Sequence, residues 1–364
     1  MQPERDAILK ALEGVIDPEL KRPVTELDMV RDVLVDGGRV SVTIALTVAG
    51  CPLRNSFEEQ VQRHVGAVDG VESVELHFDV MSPEEKAALS TRLRGGRPEK
   101  SISLDPGTRV VAVASGKGGV GKSTLTANLA VALSERGERV GVLDADVYGH
   151  SIPHMLGVAQ RPIVVDKMIV PPVRGELKLM SIGFFLDDNS PLMWRGPMLH
   201  RALEQFLSDV HWGELDTLVV DMPPGTGDVA ISLAQLLPRA EVIIVTTPQP
   251  AAQQVAVRAA AMAEKTGMRI AGVVENMSWL VGPVAGTGQE IFGSGGGQAL
   301  ADEVGSTLLG RIPLDPLLRE AADAGRSVLE WAPESEAAMA IAALAERVQA
   351  VRQGQIRKAL TVLS

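Results

Sequence analysis

The chain has 364 residues, a formal net charge of −11 and a hydrophobic content of 45%. This length exceeds a single typical core, so we expect one large domain and one smaller domain. The acidic balance argues against tight, non-specific binding to nucleic acid, which depends on lysine and arginine neutralising phosphates. A single cysteine, Cys51, excludes a framework of intrachain disulfides and is typical of a reducing compartment.

The sequence pattern favours a cytoplasmic protein. The first six residues, MQPERD, are charged and no apolar core segment follows them, so we expect no secretory signal. Apolar runs such as 217–220 and 242–245 are far shorter than the roughly 20 residues that span a membrane. We therefore expect proteins and small ligands as partners, with no membrane and no nucleic acid among them.

The N-terminal part predicts a compact α+β unit. Residues 4–81 read as helix, strand, strand, helix, strand, with the clearest alternation at 40–46 and a helix at 54–65. Residues 90–104 carry charges and helix breakers without apolar periodicity, which predicts an exposed linker. The predicted domains are a small α+β domain at 1–90, a linker at 91–106 and a large domain at 107–364.

The large domain alternates short β-branched runs with helical segments, a pattern typical of right-handed βαβ units and a parallel sheet. The predicted strands are 109–114, 139–143, 177–181, 217–220, 241–246 and 270–275. Several are apolar throughout, as strands covered on both faces should be. The predicted fold class is therefore α/β, with a mostly parallel sheet flanked by helices, preceded by the small α+β domain.

A glycine-rich loop lies between the apolar run 110–114 and a helix-like stretch that begins at Thr124. The loop consists of Gly116, Lys117, Gly118, Gly119, Val120, Gly121, Lys122 and Ser123. Its glycines let backbone N–H groups point around a polyphosphate, Lys122 can reach the outer phosphates, and the Ser123 hydroxyl can hold Mg²⁺. The dipole of the following helix adds to the attraction. The loop predicts a P-loop that binds ATP with Mg²⁺.

The same glycines also fit a dinucleotide-binding fingerprint. Three of them are spaced as GxGxxG, and Asp144 ends the next apolar run about twenty residues later. This alternative predicts an oxidoreductase that binds NAD without a need for Mg²⁺. A turn that holds a pyrophosphate needs no lysine and hydroxyl at its end, whereas a nucleoside triphosphate with Mg²⁺ needs both. Lys122 and Ser123 therefore favour the triphosphate.

Carboxylates follow two of the predicted strands and suit the second half of a Mg·ATP site. Asp221 ends a buried-strand pattern, and the stiff turn PPGTGD at 223–228 suits a switch that senses the γ-phosphate. Asp144 and Asp146 follow another strand, where one can assist Mg²⁺ and the other can orient the attacking water. For Asp146 a helix N-cap is the alternative. We expect Ser123, Asp144 and Asp221 at the metal.

Several motifs together resemble a known family. Residues 117–123 match K-G-G-x-G-K-[ST], the motif of deviant P-loop ATPases such as MinD, ParA and the nitrogenase iron protein. The other matching segments are DADVYG at 144–149, WRGPM at 194–198, DMPPGTGD at 221–228, ENMS at 275–278 and IFGSGGG at 291–297. With them the chain resembles, nearly end to end, the Mrp/ApbC family of iron-sulfur cluster carrier ATPases. The front domain resembles the cluster-assembly module that often precedes this ATPase.

The resemblance implies a homodimeric Mg-dependent ATPase that binds and transfers iron-sulfur clusters. Its expected partners are apo iron-sulfur proteins or cluster-assembly proteins. In related ATPases the residue matching Lys117 reaches the nucleotide of the other subunit, although a solvated lysine is the alternative here. Catalysis is assigned to Lys117, Lys122 and Asp146. The nucleotide contacts comprise the loop residues, Thr124 and, at the adenine, Asn276.

One departure from the family concerns the cluster site. The usual C-x-x-C falls on GPVA, with Gly282 and Ala285 at the ligand positions. A [4Fe-4S] cluster normally takes four thiolates, and a homodimer of this chain has two, both Cys51. Cys51 is either a cluster-contacting or transfer thiol or a small buried hydrophobe; His64 and His77 lack ligand spacing to it. The alternative function is a MinD/ParA-like, nucleotide-gated interaction switch without a cluster.

Overall fold

The computed structural model describes residues 3–47, 54–94, 104–147, 149–185, 196–237, 239–284 and 286–363. The chain divides into two units. The first unit contains the described residues up to 94 together with Gln160–Val173 and Ser208–Gly213, and the second contains the remainder. Helices and strands are numbered along the whole chain.

The first unit is built on a three-stranded sheet. Its elements are α1 (Arg5–Leu12), β1 (Val30–Asp36), β2 (Arg39–Leu46), α2 (Arg54–Val65), β3 (Ser73–Val80), α3 (Pro83–Arg94) and the hairpin β6 (Ile163–Val165) and β7 (Met168–Val170). The central strand β2 pairs antiparallel with β1 and parallel with β3. The order predicted from the sequence, helix, strand, strand, helix, strand, is confirmed by these elements.

Helix α3 and the hairpin depart from the predicted organisation. The linker was expected to begin at residue 91, but α3 continues to Arg94 because Leu89 and Leu93, one turn apart, pack on the core of this unit. The hairpin belongs to the same core through residues such as Val165 and Val170. The charges around Leu93 obscure the apolar spacing in the sequence. The domain boundaries themselves stay a prediction.

The second unit is built on an eight-stranded sheet. Its strands are β4 (Arg109–Ser115), β5 (Val140–Asp144), β8 (Val173–Arg174), β9 (Leu177–Ser181), β10 (Thr217–Asp221), β11 (Glu241–Thr246), β12 (Arg269–Leu280) and β13 (Leu308–Leu314). Their order is β13-β12-β11-β4-β10-β5-β9-β8, and the pairs from β13 to β9 are parallel. The six predicted strands are all present, although β12 continues beyond its predicted end to Leu280. Strands β8 and β13 were not predicted.

Helices cover this sheet. They are α4 (Lys122–Glu135), α5 (Ile152–Met155), α6 (Gly196–Ser208), α7 (Asp228–Leu236), α8 (Pro250–Lys265), α9 (Gly296–Glu303), α10 (Pro316–Asp323), α11 (Val328–Trp331) and α12 (Glu336–Leu363), with a 3₁₀ turn at Ile182–Phe185. Helix α4 is buried along most of its length, and α12 adds Ile341, Leu344 and Val348 to the same core. Within the described ranges, every helix is too short or too polar to cross a membrane.

Candidate phosphate-binding site

The predicted site lies at the carboxyl edge of the large sheet. Strand β10 pairs with β4 on one side and with β5 on the other, and its last residue, Asp221, stands opposite Asp144 in the register. Because parallel strands end at the same edge, the loop after β4 and the carboxylates after β5 and β10 converge. The sheet therefore brings together residues that are about a hundred positions apart in the chain.

The glycines of the loop after β4 satisfy two different backbone requirements. Gly119 and Gly121 have φ angles of +78° and +81°, in the left-handed region that favours glycine, and Gly121 is the N-cap of α4. Gly116 instead lies against α8, where a Cβ atom would stand 2.3 Å from the carbonyl carbon of Val255. The loop is thus held in one shape by its turns and by the helix behind it.

Lys122 lies at the centre of the predicted site. Its amine is 2.7 Å from Asp221 Oδ1, 3.6 Å from Asp146 Oδ2 and 3.3 Å from Ser123 Oγ, and its side chain is 6% exposed. The Ser123 hydroxyl donates to Asp221 Oδ2 at 2.6 Å. Three other residues predicted from the sequence, Ser123, Asp146 and Asp221, therefore lie around the Lys122 ammonium group.

Asp221 is fully buried, and burial raises the pKa of its carboxyl group. The Lys122 ammonium and hydrogen bonds from Ser123 and Thr126 oppose this shift by stabilising the charged form. Thr126 Oγ1 lies 3.0 Å from Asp221 Oδ1. The sequence reasoning missed Thr126, although its position one helical turn after Lys122 could have indicated it.

Asp144 is held by a different set of donors. The Ser181 hydroxyl donates to Asp144 Oδ2 at 3.1 Å, and the backbone amides of Asp146 and Ile152 donate to its two oxygens at 3.3 Å. Burial, and then the neighbouring charge of Asp221, raise the pKa of Asp144 to about 7. Ser181 was also missed, because it ends a strand far along the chain. Asp144 thus lies beside Asp221 in the neighbouring strand, with both of its oxygens held by hydrogen bonds.

Asn276 reaches the same loop from β12. Its Nδ2 atom donates to the carbonyl oxygen of Val120 at 2.8 Å, and the side chain is buried. A Cβ atom on Gly121 would stand 2.2 Å from that Nδ2, so this approach requires glycine there. The next residue, Met277, has a φ of +57°, which is unusual for a residue other than glycine. Asn276 is therefore part of the loop's support in this structure.

The remaining predicted residues are placed as follows. Lys117 is exposed, and its carbonyl accepts a hydrogen bond from the Ser115 hydroxyl at 3.0 Å. Thr124, on α4, is partly buried. Cys51 and Ala285 lie outside the described residues. In the part of the chain that the structure describes, no three His, Cys, Asp or Glu side chains are grouped so as to hold a metal ion.

Comparisons with known families agree with this geometry. A family model described as NUBPL iron-transfer P-loop NTPase matches residues 107–349, and one described as iron-sulfur cluster assembly protein matches residues 5–76. The chain belongs to the NUBPL iron-transfer P-loop NTPase family. Membership of this P-loop family favours the triphosphate interpretation of the loop over the dinucleotide one, and it confirms the resemblance inferred from the motifs.

Relatives of this chain carry the name iron-sulfur cluster carrier protein. One from Mycobacterium leprae is 52% identical over 341 residues, which cover 91% of this chain and 89% of the relative. Another, from Bacillus subtilis, is 42% identical over 313 residues, which cover 85% of this chain and 88% of the relative. The similarity extends over both predicted domains.

Solved structures confirm the fold class of the NTPase part. An Archaeoglobus fulgidus nucleotide-binding protein in complex with ADP has a TM-score of 0.54 and 38% identity, covering 63% of this chain and 93% of that one. The septum site-determining protein MinD of Pyrococcus horikoshii, complexed with Mg-ADP, has a TM-score of 0.53 and 27% identity, covering 66% of this chain and 96% of that one. The α/β fold with a mostly parallel sheet is therefore confirmed.

Proposed function

We propose that this protein is a homodimeric Mg-dependent ATPase that carries iron-sulfur clusters and transfers them to apoproteins. The observation that carries the nucleotide part is the meeting of Lys122, Ser123, Asp146 and Asp221 beside the glycine-rich loop. The family and the names of the relatives support the cluster part. The nucleotide cycle would control when a cluster is held and when it is handed over.

Each residue of the site has a role that its surroundings support. The backbone amides of the loop surround the phosphates, and the Lys122 amine leaves Asp221 for the outer phosphates. Ser123, Asp144 and Asp221 offer the hard oxygen donors that Mg²⁺ prefers. Bound Mg²⁺ would neutralise phosphate charge during the reaction. Asp146, beside the Lys122 amine, orients the attacking water.

Two further roles concern groups outside the phosphate pocket. Lys117 is exposed on the loop, where it can act across the homodimer on the nucleotide of the partner. Thr124 follows the loop on α4, and its backbone amide lies in the first turn, whose N–H groups favour anions. Asn276 contacts the base. These assignments follow the resemblance; for Asn276 the contact with the base falls to Oδ1, because its Nδ2 atom donates to the Val120 carbonyl.

Replacing Lys122 by alanine tests the nucleotide site. The Lys122→Ala variant is expected to bind Mg·ATP about 100-fold more weakly and to lose hydrolysis, because it lacks the charge-assisted hydrogen bonds to the phosphates. Titration calorimetry and phosphate release measure this, and circular dichroism verifies the fold. The matched control is Lys265→Ala, an exposed lysine in the last turn of α8, which should behave as wild type. Wild-type hydrolysis in Lys122→Ala would refute the assignment.

A second candidate function is the nucleotide-gated interaction switch without a cluster. The observation that favours it is the presence of Gly282 and Ala285 where the family pattern has its two cysteines. Both functions require the same nucleotide site. They differ in whether the chain binds iron and sulfide.

Anaerobic reconstitution with iron and sulfide separates the two functions. For the carrier we expect a visible iron-sulfur absorption band and about four irons per homodimer. Cys51→Ser should abolish both if Cys51 is a ligand, while its nucleotide binding stays unchanged. Wild-type protein that gains no chromophore would favour the switch, and a chromophore unaffected by Cys51→Ser would remove that thiol from the cluster site.

A further inference from the structure

The segment between β12 and α9 extends from the carboxyl edge of the sheet. This β12–α9 segment comprises residues 281–284 and 286–295 of the described chain. Leu280 and Gln289 exchange two backbone hydrogen bonds, of 2.8 and 3.0 Å, so the segment folds back on the end of β12. Val284 and Ile291 are 63% and 48% exposed on it. The segment therefore presents apolar side chains to solvent while its base is fixed.

An ion pair stands beneath this segment. Glu275 and Arg311 are direct neighbours across β12 and β13, and Arg311 Nε donates to Glu275 Oε1 at 2.9 Å. Glu275 is 1% exposed and also accepts hydrogen bonds from the Ser278 hydroxyl at 2.8 Å and from the Gly297 amide at 2.6 Å. A buried carboxylate with this many donors is strongly fixed in position.

Arg311 also contacts the segment itself. Its Nη2 atom donates to Glu290 Oε1 at 2.9 Å, which lowers the pKa of Glu290, and its guanidinium lies 5.5 Å from the ring centre of Trp279. The Trp279 indole donates to Glu336, and Glu336 accepts from the Gly286 amide at 3.1 Å. Besides the Leu280–Gln289 hydrogen bonds, the segment is thus linked to β12 through two bridging side chains, Arg311 of β13 and Glu336 of α12.

The same part of β12 is hydrogen-bonded to the glycine-rich loop of residues 116–123, the phosphate loop. Asn276 directly follows Glu275, and successive side chains of a strand face opposite sides, so one side contacts Val120 of the loop and the other contacts Arg311. The register between β12 and β13 is regular from Val274 to Asn276 and shifts only after Asn276, before Leu280. Glu275 and Asn276 therefore lie in a regularly paired stretch of β12, where a displacement of one residue's backbone also displaces its neighbour.

We propose that Arg311 is a positioning residue that couples occupation of the nucleotide site to the conformation of the β12–α9 segment. This inference rests on the proposed nucleotide binding. A nucleotide that orders the phosphate loop orders the Val120 carbonyl and, through it, Asn276. The backbone that Asn276 shares with Glu275 transmits this order to the Glu275 carboxylate, and Arg311 extends it to Glu290 through its two hydrogen bonds. Nucleotide binding thereby changes the conformation in which the apolar side chains of Val284 and Ile291 are exposed to solvent.

Hydrogen–deuterium exchange on the full chain, with and without Mg·ADP, tests the coupling. In wild type we expect Mg·ADP to slow exchange at least about fivefold both in residues 116–124 and in residues 286–295. Glu290→Ala removes an exposed carboxylate and leaves the buried pair intact, so it should keep the protection of the loop and lose that of the segment. Arg311→Lys, which cannot hold both carboxylates in the same geometry, should do the same. The matched control is Glu320→Ala, a partly exposed carboxylate paired with Arg319 on α10.

The outcomes separate the coupling from the proposed function. Protection of the loop alone in wild type overturns the coupling, and so does a segment that still responds to Mg·ADP in Glu290→Ala and Arg311→Lys. A purely structural role for Arg311 predicts that exchange in the segment rises equally with and without nucleotide, which also contradicts the coupling. Absence of protection in both regions of the wild type refutes the nucleotide binding itself.

Discussion

Lys122 and Asp221 form an ion pair that is almost completely buried, with Asp144 as a second carboxylate in the neighbouring strand. The two carboxylates stand opposite each other in neighbouring strands, and burial favours a proton on one of them. The Lys122 ammonium stabilises the charge of Asp221, whereas the donors to Asp144 are uncharged: one hydroxyl and two backbone amides. Asp144 is therefore expected to bind a proton below about pH 7 when no nucleotide or metal ion is bound.

Asp144→Asn is expected to remove a pH dependence of stability. The pKa of Asp144 rises from its ordinary value of 3.8 to about 7 in the folded protein, so between these values the folded chain binds more protons than the unfolded chain. The free energy of unfolding contributed by Asp144 therefore falls as pH rises through this window. The uncharged variant escapes this loss and should be more stable than wild type at pH ~8 by on the order of 2 kcal/mol, with little difference at pH ~4.

Urea unfolding without nucleotide or Mg²⁺ measures this difference at several pH values. Asp69→Asn, at an exposed position of the first unit, is the control and should follow the wild-type curve. Parallel curves for Asp144→Asn and wild type would show that Asp144 is charged in the folded protein throughout the range.

The phosphate loop, taken as an element, depends on its contact with α8 as much as on its own turns. Gly116 has no room for a side chain because the backbone of Val255 and Ala256 stands 2.3 to 2.5 Å from the position of a Cβ atom. Gly118, two residues later, is exposed and has nothing within 4 Å of that position. Two glycines of one motif therefore carry different constraints, and the spacing of the motif does not distinguish them.

Gly116→Ala and Gly118→Ala form a matched pair that tests this contact. Gly116→Ala should lower the free energy of unfolding by about 1–3 kcal/mol, because helix and loop must separate to admit the methyl group. Gly118→Ala should change it by less than about 0.5 kcal/mol. Thermal and urea unfolding of the nucleotide-free proteins measure both effects. Equal losses in the two variants would mean that the loop is not seated on α8 as described.

At the scale of the whole molecule, the two units do not follow one cut in the chain. The hairpin β6 and β7 comes from the middle of the sequence but packs in the core of the first unit, beside residues of α3 such as Leu89. The family models cover residues 5–76 and 107–349 and leave the residues between them unmatched. A division of the chain into consecutive segments therefore matches the family models, whereas the packing places a hairpin from the middle of the chain in the first unit.

Strand β13 shows why part of the fold could not be predicted from the sequence. Its seven residues, LLGRIPL, contain Gly310, Arg311 and Pro313, which interrupt the apolar pattern expected of a strand. The proline is tolerated because β13 lies at the edge of the sheet, where one side needs no ladder hydrogen bonds. The edge position is a property of the folded sheet, and the local sequence does not contain it.

The sequence by itself determined the features that depend on residues close together in the chain. The spacing of Lys122 and Ser123 after the glycines, and the carboxylate at the end of an apolar run, predict the loop, the strands and the shared edge, because backbone geometry fixes where such residues point. Only the tertiary structure decided which distant residues complete the site. Ser181 donates to Asp144, and Arg311 donates to Glu275, from an adjacent strand in each case. The periodicity of a sequence predicts which face of the strand a residue lies on, but it does not predict which residue of another strand it contacts there.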